Sequence, residues 1–250
     1  MDFSTRIFFT LILVVIGWLI NMAARNSVRK RALEVPTRPV SEREQKYLNN
    51  HIEHAIKALG HRNKTYVISK ETEGCLRNNL FDKAGIRRLV FEIMRYLNSP
   101  SLTVEVELHI GNESKFSSNG KAGQYQVSGL DKKITLYLKS DYTYFELIAI
   151  ICHECTHDYL LANGIKIEPE KENEIFTDIA ALYLGFDTYI QAGYKETRRI
   201  GTEHYNGETY SFQTERVKIG YIDSTQIKYI INKLAEYREA EFQIQNRRPL

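Results

Sequence analysis

Apolar positions along this chain follow three rhythms, and each predicts a different kind of element. Residues 7–24 form a mainly apolar run without a formal charge, softened by Thr10 and Asn21, from Phe8 and Phe9 through Leu11–Ile16 to Trp18, Leu19 and Ile20. As a helix this run would rise about 27 Å, close to the shortest length that crosses a bilayer. Helical spacing governs residues 42–59 (Leu48, Ile52, Ala55, Leu59), 84–97 (Ile86, Leu89, Val90, Ile93, Leu97) and 224–243 (Ile227, Ile230, Ile231, Leu234), which predicts three amphipathic helices. Strict alternation over 102–110 predicts a strand. Segments 123–128 and 133–138 predict two more, joined by a turn at 129–132. The apolar run 145–152 and the segment 169–182, which opens on Pro169 with acids in its first turns, predict two further helices. Residues 183–190 continue the second of these through a tolerated Gly185, with Gly193 as its stop.

Charge sharpens the reading at the N-terminus. The chain carries 34 Lys and Arg against 31 Asp and Glu, and Arg25, Arg29, Lys30 and Arg31 cluster just after the apolar run. That asymmetry predicts a single transmembrane helix with the long C-terminal part on the cytoplasmic side, and lipid headgroups as a partner. The expected organisation is a flank at 1–6, a transmembrane helix at 7–24, a basic juxtamembrane segment and tether at 25–41 with Pro36 and Pro39, and a single domain at 42–250. Those last residues suffice for one substantial core. No basic surface interleaved with aromatics is patterned in the sequence, so nucleic acid is not an expected partner.

Cysteine use adds a compartment and an alternative. Cys75, Cys152 and Cys155 are too few for a disulfide framework and fit a reducing environment. Cys152 and Cys155 do spell Cys-x-x-Cys, so a thiol redox protein is a competing class. Reactive pairs usually gain from a helix N-terminus, whereas these two follow about two turns of expected helix, which favours packing.

The candidate chemistry lies in the same run. His153-Glu154-Cys155-Thr156-His157 places two imidazoles four residues apart on one helix face, so both can reach one metal ion. Glu154 stands between them, where it can take a proton from an attacking water. On the following helix Glu174 and Asp178 also share a face. Glu174 can complete a three-ligand zinc site with a fourth position left for water, and Asp178 can accept from the other nitrogen of a ligating histidine. Glu170 and Glu172 remain open as substitutes for Glu174. His51 and His54, three apart on the first amphipathic helix, are expected to be exposed or capping.

These residues resemble the gluzincin-type zinc metallopeptidases, in which His-Glu-x-x-His on one helix is followed by Glu-x-x-x-Asp on the next. The resemblance covers residues 100–190. It implies an α+β, zincin-like domain with a small mixed sheet over the metal-binding helix, here behind a transmembrane helix. It implies one zinc per chain on His153, His157 and Glu174, with Glu154 as general base and Asp178 in support. The substrate would be a peptide or protein lying along a sheet edge, for which Gly123, Gln124, Tyr125, Gln126 and Val127 are the candidates. A downstream histidine or tyrosine would stabilise the oxyanion, and His204 and Tyr205 have the right chemistry. The expected function is a membrane-anchored zinc endopeptidase. The alternative is a catalytically inactive zinc-containing membrane scaffold.

Overall fold

The computed structural model describes residues 38–99, 105–111, 122–128, 131–140, 142–194, 197–200, 213–216 and 219–246. Several of its helices begin at side-chain caps. Helix α1 (Glu42–Leu59) starts at Ser41, whose hydroxyl accepts from the Glu44 amide while Glu44 reaches back to the Ser41 amide. Helix α2 (Lys70–Asn78) starts at Ser69, and α3 (Lys83–Leu97) at Asp82, which accepts from the Gly85 amide at 2.8 Å. Helix α3 ends on Asn98 in the left-handed conformation, one residue before Ser99.

Strands β1 (Glu105–Gly111), β2 (Gly123–Ser128) and β3 (Asp131–Lys139) form a mixed sheet in the order β1-β3-β2. Strand β1 runs parallel to β3, pairing Val106 with Ile134, and β2 runs antiparallel to it, pairing Gly123 with Leu136. Val106, Ile134, Leu136 and Leu138 are buried on one face. Helix α4 (Tyr144–Ala162) follows, opened by a capping box between Thr143 and Glu146. It is the centre of the core: Leu147 to Thr156 are buried without a break, and α3, β2 and the two helices that follow α4 pack around it. Helix α5 (Glu170–Ala181) runs from Pro169 and packs on α1 and α4.

The chain beyond α5 departs from the expected continuous helix. A wide π turn over Leu182–Phe186 contains Gly185 at φ 97°, and α6 (Asp187–Gly193) restarts from it. The carbonyl of Gly185 turns out of the helix and accepts from the Tyr66 amide at 3.0 Å. Two short strands, β4 (Thr197–Ile200) and β5 (Gln213–Arg216), pair antiparallel, and α7 (Ser224–Asn246) closes the described chain against α1 and α6.

This architecture is a helical core with a small three-stranded mixed sheet beside the histidine-bearing helix, and it corrects the expectation of a zincin-like domain behind a transmembrane helix. Among the described residues no helix is long and apolar enough to cross a membrane. Helix α4 has the length, at 19 residues, but carries Glu146, Glu154, Asp158 and the histidine pair. The expected span at 7–24 lies outside the described residues. The membrane anchor, the lipid partner and the cytoplasmic-face placement that depended on it are therefore withdrawn.

Candidate metal centre

Helices α4 and α5 each contribute one face to a cluster of three ligand atoms. One turn of α4 separates His153 from His157, and Glu174 faces them from the first half of α5. The Nε2 atoms of the two histidines lie 3.0 Å apart, and each lies 3.0 Å from Oε2 of Glu174. The three atoms make a triangle with equal sides. Ligands held tetrahedrally about 2.0–2.1 Å from zinc would stand about 3.3 Å apart, so the triangle has nearly the dimensions of one face of such a site.

The far nitrogens settle which atoms point inward. His153 Nδ1 lies 2.7 Å from Oδ1 of Asp178, a buried carboxylate that can only accept, so that nitrogen carries the proton. Thr177 donates its hydroxyl to the Asn173 carbonyl at 2.8 Å and so accepts from His157 Nδ1 at 3.3 Å. Both Nε2 lone pairs thus turn toward the carboxylate oxygen and toward each other. Three acceptor atoms facing one another at 3.0 Å call for positive charge among them, a proton on an imidazole or a metal ion, and the cluster of His153, His157 and Glu174 is one that could hold a single divalent ion such as Zn2+.

The site's own electrostatics favour positive charge. Burial opposes protonation of His153, yet the charge and hydrogen bond of Asp178, then Glu174 and Glu154, raise it well above the usual imidazole range. Burial would raise the Glu174 carboxyl, but its contacts with both histidines hold it far below the usual carboxylate range.

Glu154 is 5% exposed and sits against the sheet. Strand β2, an edge of the three-stranded sheet, passes so close that a β-carbon on Gly123 would fall 2.4 Å from Glu154 Oε1. One turn further along α4, fully buried Asp158 accepts from Tyr125 Oη of β2 at 2.5 Å, from Lys132 Nζ of β3 at 2.8 Å and from Ser99 Oγ at 2.9 Å. Two residues of strand rise about 6.6 Å and one helical turn about 5.4 Å, so Gly123 and Tyr125 meet Glu154 and Asp158 in step. The sheet is thereby latched to the helix at the candidate base.

Several expected residues take other places. Glu172 is not a metal ligand here: its carboxylate accepts from Tyr47 Oη at 2.5 Å and contacts His51 Nε2 at 3.1 Å, tying α5 to α1. His51 is therefore a helix-to-helix contact rather than an exposed or capping residue. Cys152 and Cys155 are free and fully buried, and burial raises both thiols, which opposes a redox pair. His204 and Tyr205 lie outside the described residues. Two tyrosines at the site were missed. Tyr221 stacks on His153 with ring centroids 6.1 Å apart and an interplanar angle of 20°. Burial, then the charges of Glu174, Asp178, Glu154 and Glu170, raise its phenol above the usual range. Tyr194 donates to Asp178 Oδ1 at 2.6 Å. Neither belongs to a spaced motif, so only their aromatic type was visible in the sequence.

His153, Glu154 and His157 resemble a zincin-type active site. Comparison of the chain with known protein families, curated proteins and solved structures finds no match to any of them. The resemblance to membrane-anchored gluzincins is accordingly corrected to this coarser class, which rests on the ligand cluster; among the described residues no helix is long and apolar enough to cross a membrane.

Proposed function

We propose that this protein is a zinc metallopeptidase that hydrolyses peptide bonds at the α4–α5 centre. The observation that carries the reading is the triangle of His153 Nε2, His157 Nε2 and Glu174 Oε2, all three 3.0 Å apart. An ion held there would supply a Lewis acid for the scissile carbonyl and acidify an attacking water. Glu154, between the two histidines on α4, takes the proton of that water and returns it to the leaving amine. Asp178 fixes the His153 tautomer through Nδ1. Tyr221 stays a neutral phenol among the site's carboxylates and serves as donor to the developing oxyanion. The β2 edge from Gly123 to Val127 offers its backbone to an extended peptide, beside Glu154.

The test separates metal binding from chemistry. Purified protein should contain one zinc per chain and cleave members of a diverse peptide library. Glu154→Gln should keep the zinc and lose at least about 100-fold in cleavage rate, the usual scale of a general base. Undiminished cleavage by that variant would refute the mechanism. Zinc bound with no cleavage by the unmutated protein would favour a non-catalytic zinc protein.

A further inference from the structure

Asp178 is held far more completely than a simple support for one histidine requires. It is fully buried, and four donors meet its two oxygens. Oδ1 accepts from His153 Nδ1 at 2.7 Å and from Tyr194 Oη at 2.6 Å, while Oδ2 accepts from the backbone amides of Tyr221 at 2.7 Å and Ile222 at 3.3 Å. Tyr194 lies just beyond α6, and Tyr221 and Ile222 lie just before α7. Neither is near the metal helices in sequence.

The two parts of this cage fit into each other. Gly220, at φ 84°, presses on the Tyr194 ring so closely that a β-carbon there would fall 1.9 Å from Cε2. That contact seats the Gly220–Ile222 backbone with its amides aimed at Oδ2, and it also lays the Tyr221 ring over His153. Tyr194 Oη additionally lies 3.4 Å from His153 Nδ1, so the phenol, the carboxylate and the imidazole form one compact group. A carboxylate with both oxygens satisfied cannot swing, and the imidazole it holds cannot rotate its Nε2 away from the triangle.

We propose that Tyr194 is a positioning residue for the metal centre, acting through Asp178 to hold His153, and that the Gly220–Ile222 segment completes this cage. The inference rests on the reading of His153, His157 and Glu174 as ligands, and it is independent of whether the protein cleaves peptides. Removing one hydroxyl leaves the Tyr194 ring and its packing on Gly220 in place but frees Oδ1 from its second donor. The metal then loses an ordered ligand while the core keeps its shape.

The experiment is a zinc competition titration against a chromophoric chelator, using the full chain, Tyr194→Phe and Tyr189→Phe. Tyr189 is a second buried tyrosine whose oxygen accepts from the Ile68 amide at 3.0 Å, away from the metal ligands. Tyr194→Phe should weaken zinc binding about 10- to 100-fold, as loss of a supporting hydrogen bond does at other metal sites. Tyr189→Phe should leave zinc affinity unchanged even if it lowers the melting temperature. Zinc affinity of Tyr194→Phe within about twofold of the unmutated protein, or equal weakening by both variants, would overturn the proposal. Failure of the unmutated protein to bind zinc at all would instead refute the ligand reading, and this inference with it.

Discussion

At Gly123 the space beside the candidate base is smaller than a methyl group. A β-carbon there would lie 2.4 Å from Glu154 Oε1 and 2.8 Å from its Cγ, so an alanine must displace either the carboxylate or the strand. The three atoms nearest to such a β-carbon all belong to Glu154, and none belongs to His153, His157 or Glu174. Gly123→Ala should therefore lower peptide cleavage by at least about 10-fold, a fraction of what a general base contributes, with zinc affinity within about twofold of the unmutated protein. Cleavage kinetics and a chelator titration on the same sample check this. Full cleavage by the variant would show that Glu154 is not held at the edge of β2 in the way described. The histidine pair of the candidate metal centre was legible in the sequence because its spacing is a property of one helix: four residues bring His157 under His153 whatever the rest of the chain does. Glu174 and Asp178 were legible for the same reason. Tyr194 and Tyr221 were not, since they reach Asp178 and His153 only through the packing of α6 and the turn before α7, and nothing local in their sequence marks that meeting.

Among the elements, those with a sustained apolar periodicity were readable from the chain, and the short helix without one was not. Helix α1 spans Glu42–Leu59, the bounds its periodicity predicts, and α3 begins one residue earlier than its pattern, at Lys83 after Asp82. Helix α2 went unread because only Thr72 and Leu76 of its nine residues are buried, which is too few for a periodic signal. Its anchor is Glu92 of α3. That carboxylate accepts from Ser69 Oγ at 2.6 Å, from Thr72 Oγ1 at 2.5 Å and from the Ser69 amide at 3.3 Å. Burial would raise the Glu92 carboxyl, but these donors and Tyr66 outweigh it and hold the group below its ordinary value. A depressed folded value means stability that is present above the unfolded carboxylate range, about 4.3, and lost as pH falls through the folded value. Glu92→Gln should accordingly cost about 1–3 kcal/mol at pH 7, and its deficit should shrink as the pH drops below about 4. Urea unfolding at pH 7 and at pH 3.5 measures both. An equal deficit at the two values would place the stabilisation in packing rather than in the charge. The break at Gly185 was likewise unreadable, because a single glycine inside an apolar helical run also fits an unbroken helix. The Tyr66 amide that uses its turned carbonyl lies more than a hundred positions earlier.

Across the whole molecule, the site is assembled from segments that stand far apart in the chain: β2, α4, α5, Tyr194 beyond α6, and the turn before α7. The membrane-anchored account drawn from residues 7–24 is not carried by this assembly, in which no described helix is long and apolar enough to cross a membrane. What the molecule does hold in common across these segments is one point where two imidazole lone pairs and a carboxylate oxygen converge. The competing thiol chemistry is also decided at that scale, because Cys152 and Cys155 sit on the same helix as the histidines but are wholly buried in the core. X-ray absorption at the zinc edge of the purified, zinc-loaded protein tests the convergence most directly. The account predicts one zinc with only nitrogen and oxygen neighbours, at about 2.0–2.2 Å and with two imidazole scattering patterns, and loss of that signal in Glu174→Ala. A sulfur shell at about 2.3 Å, or an unchanged spectrum in the Glu174 variant, would contradict it.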